Sequence, residues 1–182
     1  NIRFNSKDCK KNDIFFSIQG NKLNGNNYIK DSIKNGSKII VSNLNFEGFN
    51  KEKILFIKNK NPRKALAEAA SNFYTKKPKN IIAITGTNGK TSIANFFYQI
   101  LSLSKKKVAA IGTLGVLSKK IKFKTNNTTI DPIKMHQILQ KLKNFDIDNV
   151  IIEASSHGLK QHRLDGLNLK TALFTNLSRD HL

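Results

Sequence analysis

The sequence predicts an α/β chain in two parts: a small N-terminal α/β domain, residues 1–78, followed by a partial parallel-sheet domain of the phosphate-loop (P-loop) type, residues 79–182. Three observations carry this. Continuous apolar runs, Ile81–Thr85, Val108–Ile111 and Val150–Glu153, alternate with segments of helical spacing, the pattern of a parallel sheet covered on both faces. A glycine-rich loop stands directly between one such run and one such helix. The stretch Thr75–Asn80, TKKPKN, is polar, contains Pro78 and has no period, which marks a boundary.

In the first part, Asp13–Ile18 (DIFFSI) is a short apolar run and reads as a strand. A turn-rich stretch over Gly20–Asn27 leads into a short helix, Tyr28–Lys34, with Gly36 placed to cap its end. Lys38–Ser42 and Lys53–Lys58 read as further strands. Pro62 suits the first turn of a helix, and the alanine-rich PRKALAEAASNFY sustains it. In the second part, Ile93, Phe96, Phe97, Ile100 and Leu101 recur at helical spacing after the glycine loop. Asp131-Pro132 supplies a cap and first turn for a helix carrying Ile133, His136, Leu139 and Leu142 on one side. Thr171–Thr175 is the last strand. His136 reads as a structural residue on that helix.

Composition narrows the class. With 38% hydrophobic residues in 182, the chain can bury a core without staples. Its single cysteine, Cys9, excludes an internal disulfide framework and fits a reducing compartment. No apolar run approaches the about 18 residues of a membrane span, and no signal peptide is visible, so the expectation is a soluble, cytoplasmic protein without membrane insertion. The formal charge of +20 raises the possibility of a nucleic-acid partner. Against it, the lysines are dispersed, only four arginines are present (Arg3, Arg63, Arg163, Arg179), and the excess of Lys, Asn and Ile is what A/T-rich codons produce. A basic P-loop ATPase acting on nucleic acid therefore remains the competing reading from a different class, separable by salt-sensitive DNA or RNA binding.

The chemistry concentrates in Thr85-Gly86-Thr87-Asn88-Gly89-Lys90-Thr91-Ser92. Glycines allow a tight turn whose N–H groups face phosphate oxygens, and the helix start adds partial positive charge. Lys90 is placed to reach the terminal phosphates of ATP, and the Thr91 hydroxyl to bind Mg2+. Ile84 stands where the usual signature has its first glycine, so this is a shorter variant of the loop. Ser156 and His157 invite a nucleophile pair, but no orienting third group or oxyanion turn accompanies them, and a hydrolase is rejected.

GTNGKTS resembles the ATP loop of the Mur ligases and of their relatives, the folylpolyglutamate and cyanophycin synthetases. Glu153-Ala154-Ser155-Ser156-His157-Gly158-Leu159 with Gln161-His162-Arg163, the Asn127-Thr128-Thr129 loop, and Thr175–Leu182 (TNLSRDHL) are similar to stretches of the Mur branch that extends UDP-N-acetylmuramoyl-L-alanyl-D-glutamate. Phe4-Asn5-Ser6-Lys7 and DIFFSIQG parallel that branch's uridine-binding domain. The resemblance spans nearly the whole chain in order, and the sequence is identified as a member of the family.

It implies an ATP-dependent ligase of peptidoglycan synthesis, with UDP-N-acetylmuramoyl-L-alanyl-D-glutamate and a diamino acid as substrates, ATP and Mg2+ as cofactors, and a monomeric state. The first part becomes a UDP-binding domain and the second an ATPase domain. Gly86, Thr87, Asn88, Gly89, Lys90, Thr91 and Ser92 would cradle ATP; Lys90, Glu153 and His181 would be catalytic; Thr91, Glu153 and His181 would hold metal. Phe4, Ser6, Asn21, Lys22, Leu23, Asn127, Thr128, Thr129, Ser155, Gln161 and Arg163 would bind the muramoyl dipeptide. Glu153 also sits at the C-terminal end of a predicted buried strand, where ligands collect in such sheets. Asn5, Ser92 and Ala154 depart from the family's usual aspartate, threonine and valine without removing a reacting group. The chain reads as a fragment: the carbamylated lysine and the C-terminal domain of the family are expected beyond Leu182, and the piece alone is expected not to ligate. A sister ligase such as a folylpolyglutamate synthetase is the nearer alternative, though its loop usually reads GKGS.

Overall fold

A computed structural model describes residues 1–20 and 23–178. The chain divides into two units, Asn1–Ala69 and Ala70–Leu182. The division falls inside a helix, and the polar stretch 75–80 belongs to the second unit.

The first unit is a five-stranded sheet. Its strands are β1 (Ile2–Arg3), β2 (Ile14–Phe16), β3 (Ile39–Ser42), β4 (Gly48–Phe49) and β5 (Leu55–Lys58), in the order β1-β2-β3-β5-β4. All neighbours are parallel except β4, which pairs antiparallel with β5 at the edge. The core gathers Phe15, Ile29, Ile40, Ile54 and Phe56. Helix α1 (Ile29–Lys34) follows a 3-10 turn over Gly25–Tyr28, so the α-helix starts one residue later than its spacing suggests. Gly36 closes its end with φ +108°, its N–H donating to Ile33 O at 2.9 Å. Helix α2 (Pro62–Phe73) begins at its proline as predicted.

In the second unit the strands are β6 (Asn80–Thr85), β7 (Val108–Gly112), β8 (Gly115–Ser118), β9 (Lys122–Phe123), β10 (Asn149–Glu153) and β11 (Thr171–Phe174), ordered β11-β6-β10-β7-β8-β9. The four strands β11, β6, β10 and β7 are parallel. The expected parallel sheet is extended by two antiparallel strands, β8 and β9, which the sequence reading did not contain.

Both faces of the parallel part are covered, because side chains of a strand alternate. Ile81, Ala83, Ala109, Ile111, Val150 and Ile152 pack against helix α4 (Pro132–Asn144) through Met135, Ile138, Leu139 and Leu142. Ile84, Ala110 and Ile151 on the other face pack against helix α3 (Lys90–Leu103) through Ala94, Phe97 and Tyr98. Asp131 caps α4 by accepting from Lys134 N at 2.9 Å, with Pro132 in the first turn. His136 is fully buried, as a structural residue should be. The apolar pattern of α3 is broader than its buried face: Ile93, Phe96, Ile100 and Leu103 are exposed. A short helix, α5 (Ser156–Lys160), follows β10.

Candidate active site

Parallel strands end on the same side, so the turns after β6, β7, β10 and β11 meet at one edge of the sheet. The register sets their level: Glu153 pairs with Ile84, Phe174 with Thr85, and Ile111 with Ile152. The glycine loop, Thr113, Glu153 and Thr175-Asn176 are therefore neighbours although they are far apart in sequence.

The loop after β6 turns on two glycines of positive φ, Gly86 (+129°) and Gly89 (+86°), the latter forming the N-terminal cap of α3. A Cβ on Gly86 would lie 2.1 Å from Thr175 Oγ1. Residues after β11 clasp the loop. Thr87 N and Asn88 N donate to Asn176 O and Oδ1, both at 3.0 Å, Thr175 Oγ1 donates to Asn88 O at 2.6 Å, and Ser178 N donates to Thr87 Oγ1 at 2.9 Å. The N–H groups of Lys90, Thr91 and Ser92 lie in the first turn of α3, where a helix offers no internal acceptor. Lys90 Nζ donates to Gly86 O at 2.6 Å and to Thr87 O at 2.8 Å, which holds the cation over the loop.

Glu153 ends β10 and is 2% exposed. Thr91 Oγ1 donates to its Oε2 at 2.8 Å, Thr113 Oγ1 to the same oxygen at 3.0 Å, and Thr113 N to Oε1 at 3.0 Å. Among the described residues, no lysine, arginine or histidine forms an ion pair with it. A buried carboxylate satisfied by hydroxyls and one amide, but with no cation, is electrostatically incomplete.

Beside it lies the 125–129 loop. Thr129 is 1% exposed, and its hydroxyl serves the protein: it donates to Glu153 O at 2.9 Å and accepts from Ser155 N at 2.9 Å. Asn127 is exposed and Thr128 half-buried. Ser155 caps α5, accepting from Gly158 N at 3.1 Å. The Arg163 guanidinium donates twice to Gln161 Oε1 (3.1 and 2.7 Å) and once to Thr129 O. Its fork is thus braced from within, rather than left open for a bidentate grip on a carboxylate. In the first unit, Phe4 and Leu23 are exposed (41% and 62%) whereas Ser6 is buried, at 6%. Asn21, Lys22 and His181 lie outside the described residues.

Thr113, Thr175 and Asn176 were not singled out by sequence reasoning as site residues. Each follows a strand predicted for the parallel sheet or ends one, so the rule that ligands gather at strand C-termini was the available signal.

A glycine turn at a helix start, facing a buried strand-end carboxylate on a parallel sheet, defines a phosphate-loop α/β protein. Residues 84–182 match the profile of the Mur ligase middle domain, and residues 1–74 that of the Mur ligase family catalytic domain. The chain belongs to the Mur ligase family. It is 39% identical over 181 residues to the UDP-N-acetylmuramoyl-L-alanyl-D-glutamate--2,6-diaminopimelate ligase of Rhizobium meliloti (strain 1021), and 40% identical over 185 residues to the ligase of the same name from Clostridium tetani (strain Massachusetts / E88). The alignments cover all of this chain but 37% and 38% of those proteins. A solved structure of a ligase of that name superposes with TM-score 0.84 at 27% identity, over 100% of this chain and 37% of that one. The fold is also that of MurF from Thermotoga maritima in complex with ADP, with TM-score 0.61 at 18% identity over 96% of this chain and 37% of that one. Among the described residues no helix is long and apolar enough to cross a membrane.

Proposed function

We propose that the protein containing this chain is an ATP-dependent amide ligase of peptidoglycan synthesis that joins a diamino acid, meso-diaminopimelate, to UDP-N-acetylmuramoyl-L-alanyl-D-glutamate in the cytoplasm. One observation carries the reading: Glu153 is a buried carboxylate that has no cationic partner among the described residues and is hydrogen-bonded to Thr91 in the first turn of α3. The names of the relatives, at about two-fifths identity, supply the substrates.

The donor set fits Mg2+, which takes oxygen ligands, keeps several waters and needs only one or two carboxylates beside substrate phosphates. Thr91 Oγ1 and Glu153 would hold it, with His181 serving a second ion; when bound it neutralises charge on the transferring phosphoryl group. The loop residues Gly86 to Ser92 cradle the phosphates, and first-turn N–H groups of α3 receive their oxygens. Lys90 exchanges the carbonyls of Gly86 and Thr87 for the terminal phosphates and offsets the charge that spreads there. The side-chain carboxylate of D-glutamate attacks the terminal phosphorus of ATP, ADP leaves, and an acyl phosphate results. The diamino acid's amine then attacks the acyl carbon, phosphate departs, and the amide forms.

Asn127, Thr128, Ser155, Gln161 and Arg163 would orient the dipeptide, with Thr129 acting through the loop it locks. Phe4, Ser6, Asn21, Lys22 and Leu23 would take the UDP end. The test is phosphate release by the full-length protein. Release that requires ATP, the UDP-muramoyl dipeptide and meso-diaminopimelate together supports the reading. Release that ignores the dipeptide, or that responds to folate and glutamate instead, defeats it.

A further inference from the structure

We infer that Thr113 is a positioning residue that orients the Glu153 carboxylate and couples it, through a directed hydrogen-bond chain, to the 125–129 loop. The inference rests on the proposed metal role of Glu153 and names the residue that presets it.

Thr113 is the first residue after β7. Because Ile111 lies level with Ile152 of β10, the chain leaving β7 passes directly alongside the Glu153 side chain. It offers that side chain two donors, one for each oxygen: the backbone N–H to Oε1 at 3.0 Å and Oγ1 to Oε2 at 3.0 Å. Two bonds to the two oxygens of one carboxylate fix its plane as well as its position, which a single bond cannot do. Gly112, the residue before it, also lies against the carboxylate: an added Cβ would be 2.1 Å from Oε1 and 2.4 Å from Cδ. The carboxylate is therefore gripped by one residue and packed against a neighbour that has no side chain.

Thr113 Oγ1 also lies 3.1 Å from Thr128 Oγ1. Either oxygen could donate in isolation, but a hydroxyl has only one proton. An ionised carboxylate accepts only, so the Thr113 proton is committed to Glu153. The remaining contact then has one sense: Thr128 O–H donates to Thr113, and Thr113 O–H donates to Glu153 Oε2. A chain ordered toward a charge strengthens each of its bonds. Thr125 Oγ1 lies beside the same strand end, 3.3 Å from Gly112 O and 3.1 Å from Asn127 O, its one proton shared between the two carbonyls. The loop assigned to the dipeptide is thereby connected to the carboxylate assigned to the metal by one exposed side chain, whose hydroxyl carries no packing duty.

The experiment uses the full-length protein with Thr113→Val, which keeps shape and backbone N–H but removes the hydroxyl, and with Thr113→Ser, which restores it. ADP affinity is measured by calorimetry across a Mg2+ titration and again in EDTA. The expected result is a rise of about tenfold in the half-saturating Mg2+ concentration for Thr113→Val, from losing one hydrogen bond to a charged group. Affinity in EDTA stays unchanged, and Thr113→Ser returns to within about twofold of wild type, as its hydroxyl restores the same bond. Thr128→Val shifts the midpoint in the same direction, and the double Val variant shifts it no further than Thr113→Val alone, since both act through one chain. An unmoved midpoint in Thr113→Val, a failed rescue by Ser, or additive shifts overturns the inference while Mg2+-dependent ADP binding by wild type leaves the proposed function standing. Wild type that binds ADP without regard to Mg2+ overturns both.

Discussion

Replacing Thr129 with valine separates a lock from a ligand. Thr129 is 1% exposed and its hydroxyl sits between two backbone groups at the end of β10, donating to Glu153 O and accepting from Ser155 N, each at 2.9 Å. Valine has nearly the same shape, so the packing against Gly158, where the two residues are in tight contact, changes little. What is lost is both bonds, together with the 3.1 Å contact to Ser155 Oγ. Leaving a buried donor or acceptor unmade costs about 1–3 kcal/mol each. The Ser155 N–H lies at a half-buried residue and recovers part of its share from water, which brings the expected loss to about 3 kcal/mol. The assay is urea unfolding of the full-length protein, following the transition of the second unit. Thr129→Ser, which keeps the hydroxyl, is the control and should lose no more than about 1 kcal/mol for one missing methyl. A valine variant within about 0.5 kcal/mol of wild type, with dipeptide KM raised instead, would show that the hydroxyl faces substrate and that the lock argument is wrong.

Three further perturbations have defined outcomes. Burial holds the His136 imidazole down at about 4, from an ordinary value of 6.5. Its neutral form is the one the fold keeps, so its contribution to stability is present above the unfolded value and is lost as pH falls from 6.5 toward 4. Urea midpoints should drop across that window by the equivalent of about 3 kcal/mol, and His136→Gln, which cannot titrate, should flatten the decline. Lys90→Ala removes the one lysine that crosses the glycine loop and should weaken ADP binding by about tenfold to a hundredfold in calorimetry, the worth of a hydrogen bond to a charged group; unchanged affinity would contradict the phosphate-loop assignment. Gly112→Ala pushes a Cβ into the Glu153 carboxylate. The buried carboxylate must shift and lose hydrogen bonds, so the melting temperature should fall by a few degrees and Mg2+-dependent ADP affinity by about tenfold.

The parallel strands were legible because burial on both faces writes an unbroken apolar run, as in Ile81–Thr85 and Val150–Glu153. Strands β8 and β9 were not, since Gly115–Ser118 is short and β9 has only two residues, too few to show a period. The α3 pattern was readable as a helix but not as a one-sided one: it is apolar nearly all round, and among the described residues only the Ala94, Phe97 and Tyr98 side meets the sheet. The glycine loop could be found because its parts are consecutive. The grip on Glu153 could not, because Thr113 lies 40 residues away and becomes a neighbour only through the pairing of β7 with β10.

That pairing also explains how so small a set of residues comes together at the candidate site. In a parallel sheet every turn at the C-terminal edge follows a different strand, so each contributes one short segment and none must reach far. Here β6 supplies the glycine turn, β10 the carboxylate, β7 the threonine that aims it, and β11 the Thr175-Asn176 clasp. The clasp has a chemical consequence. Asn176 takes the N–H groups of Thr87 and Asn88 through its carbonyl and side-chain oxygens, which removes those two donors from the phosphate. The N–H groups at the start of α3 stay available to an anion, and the helix dipole adds to each of them. In the proposed function, the segment after β11 thereby leaves the start of α3, beside Thr91 and Glu153, rather than the outer turn, to receive the phosphates.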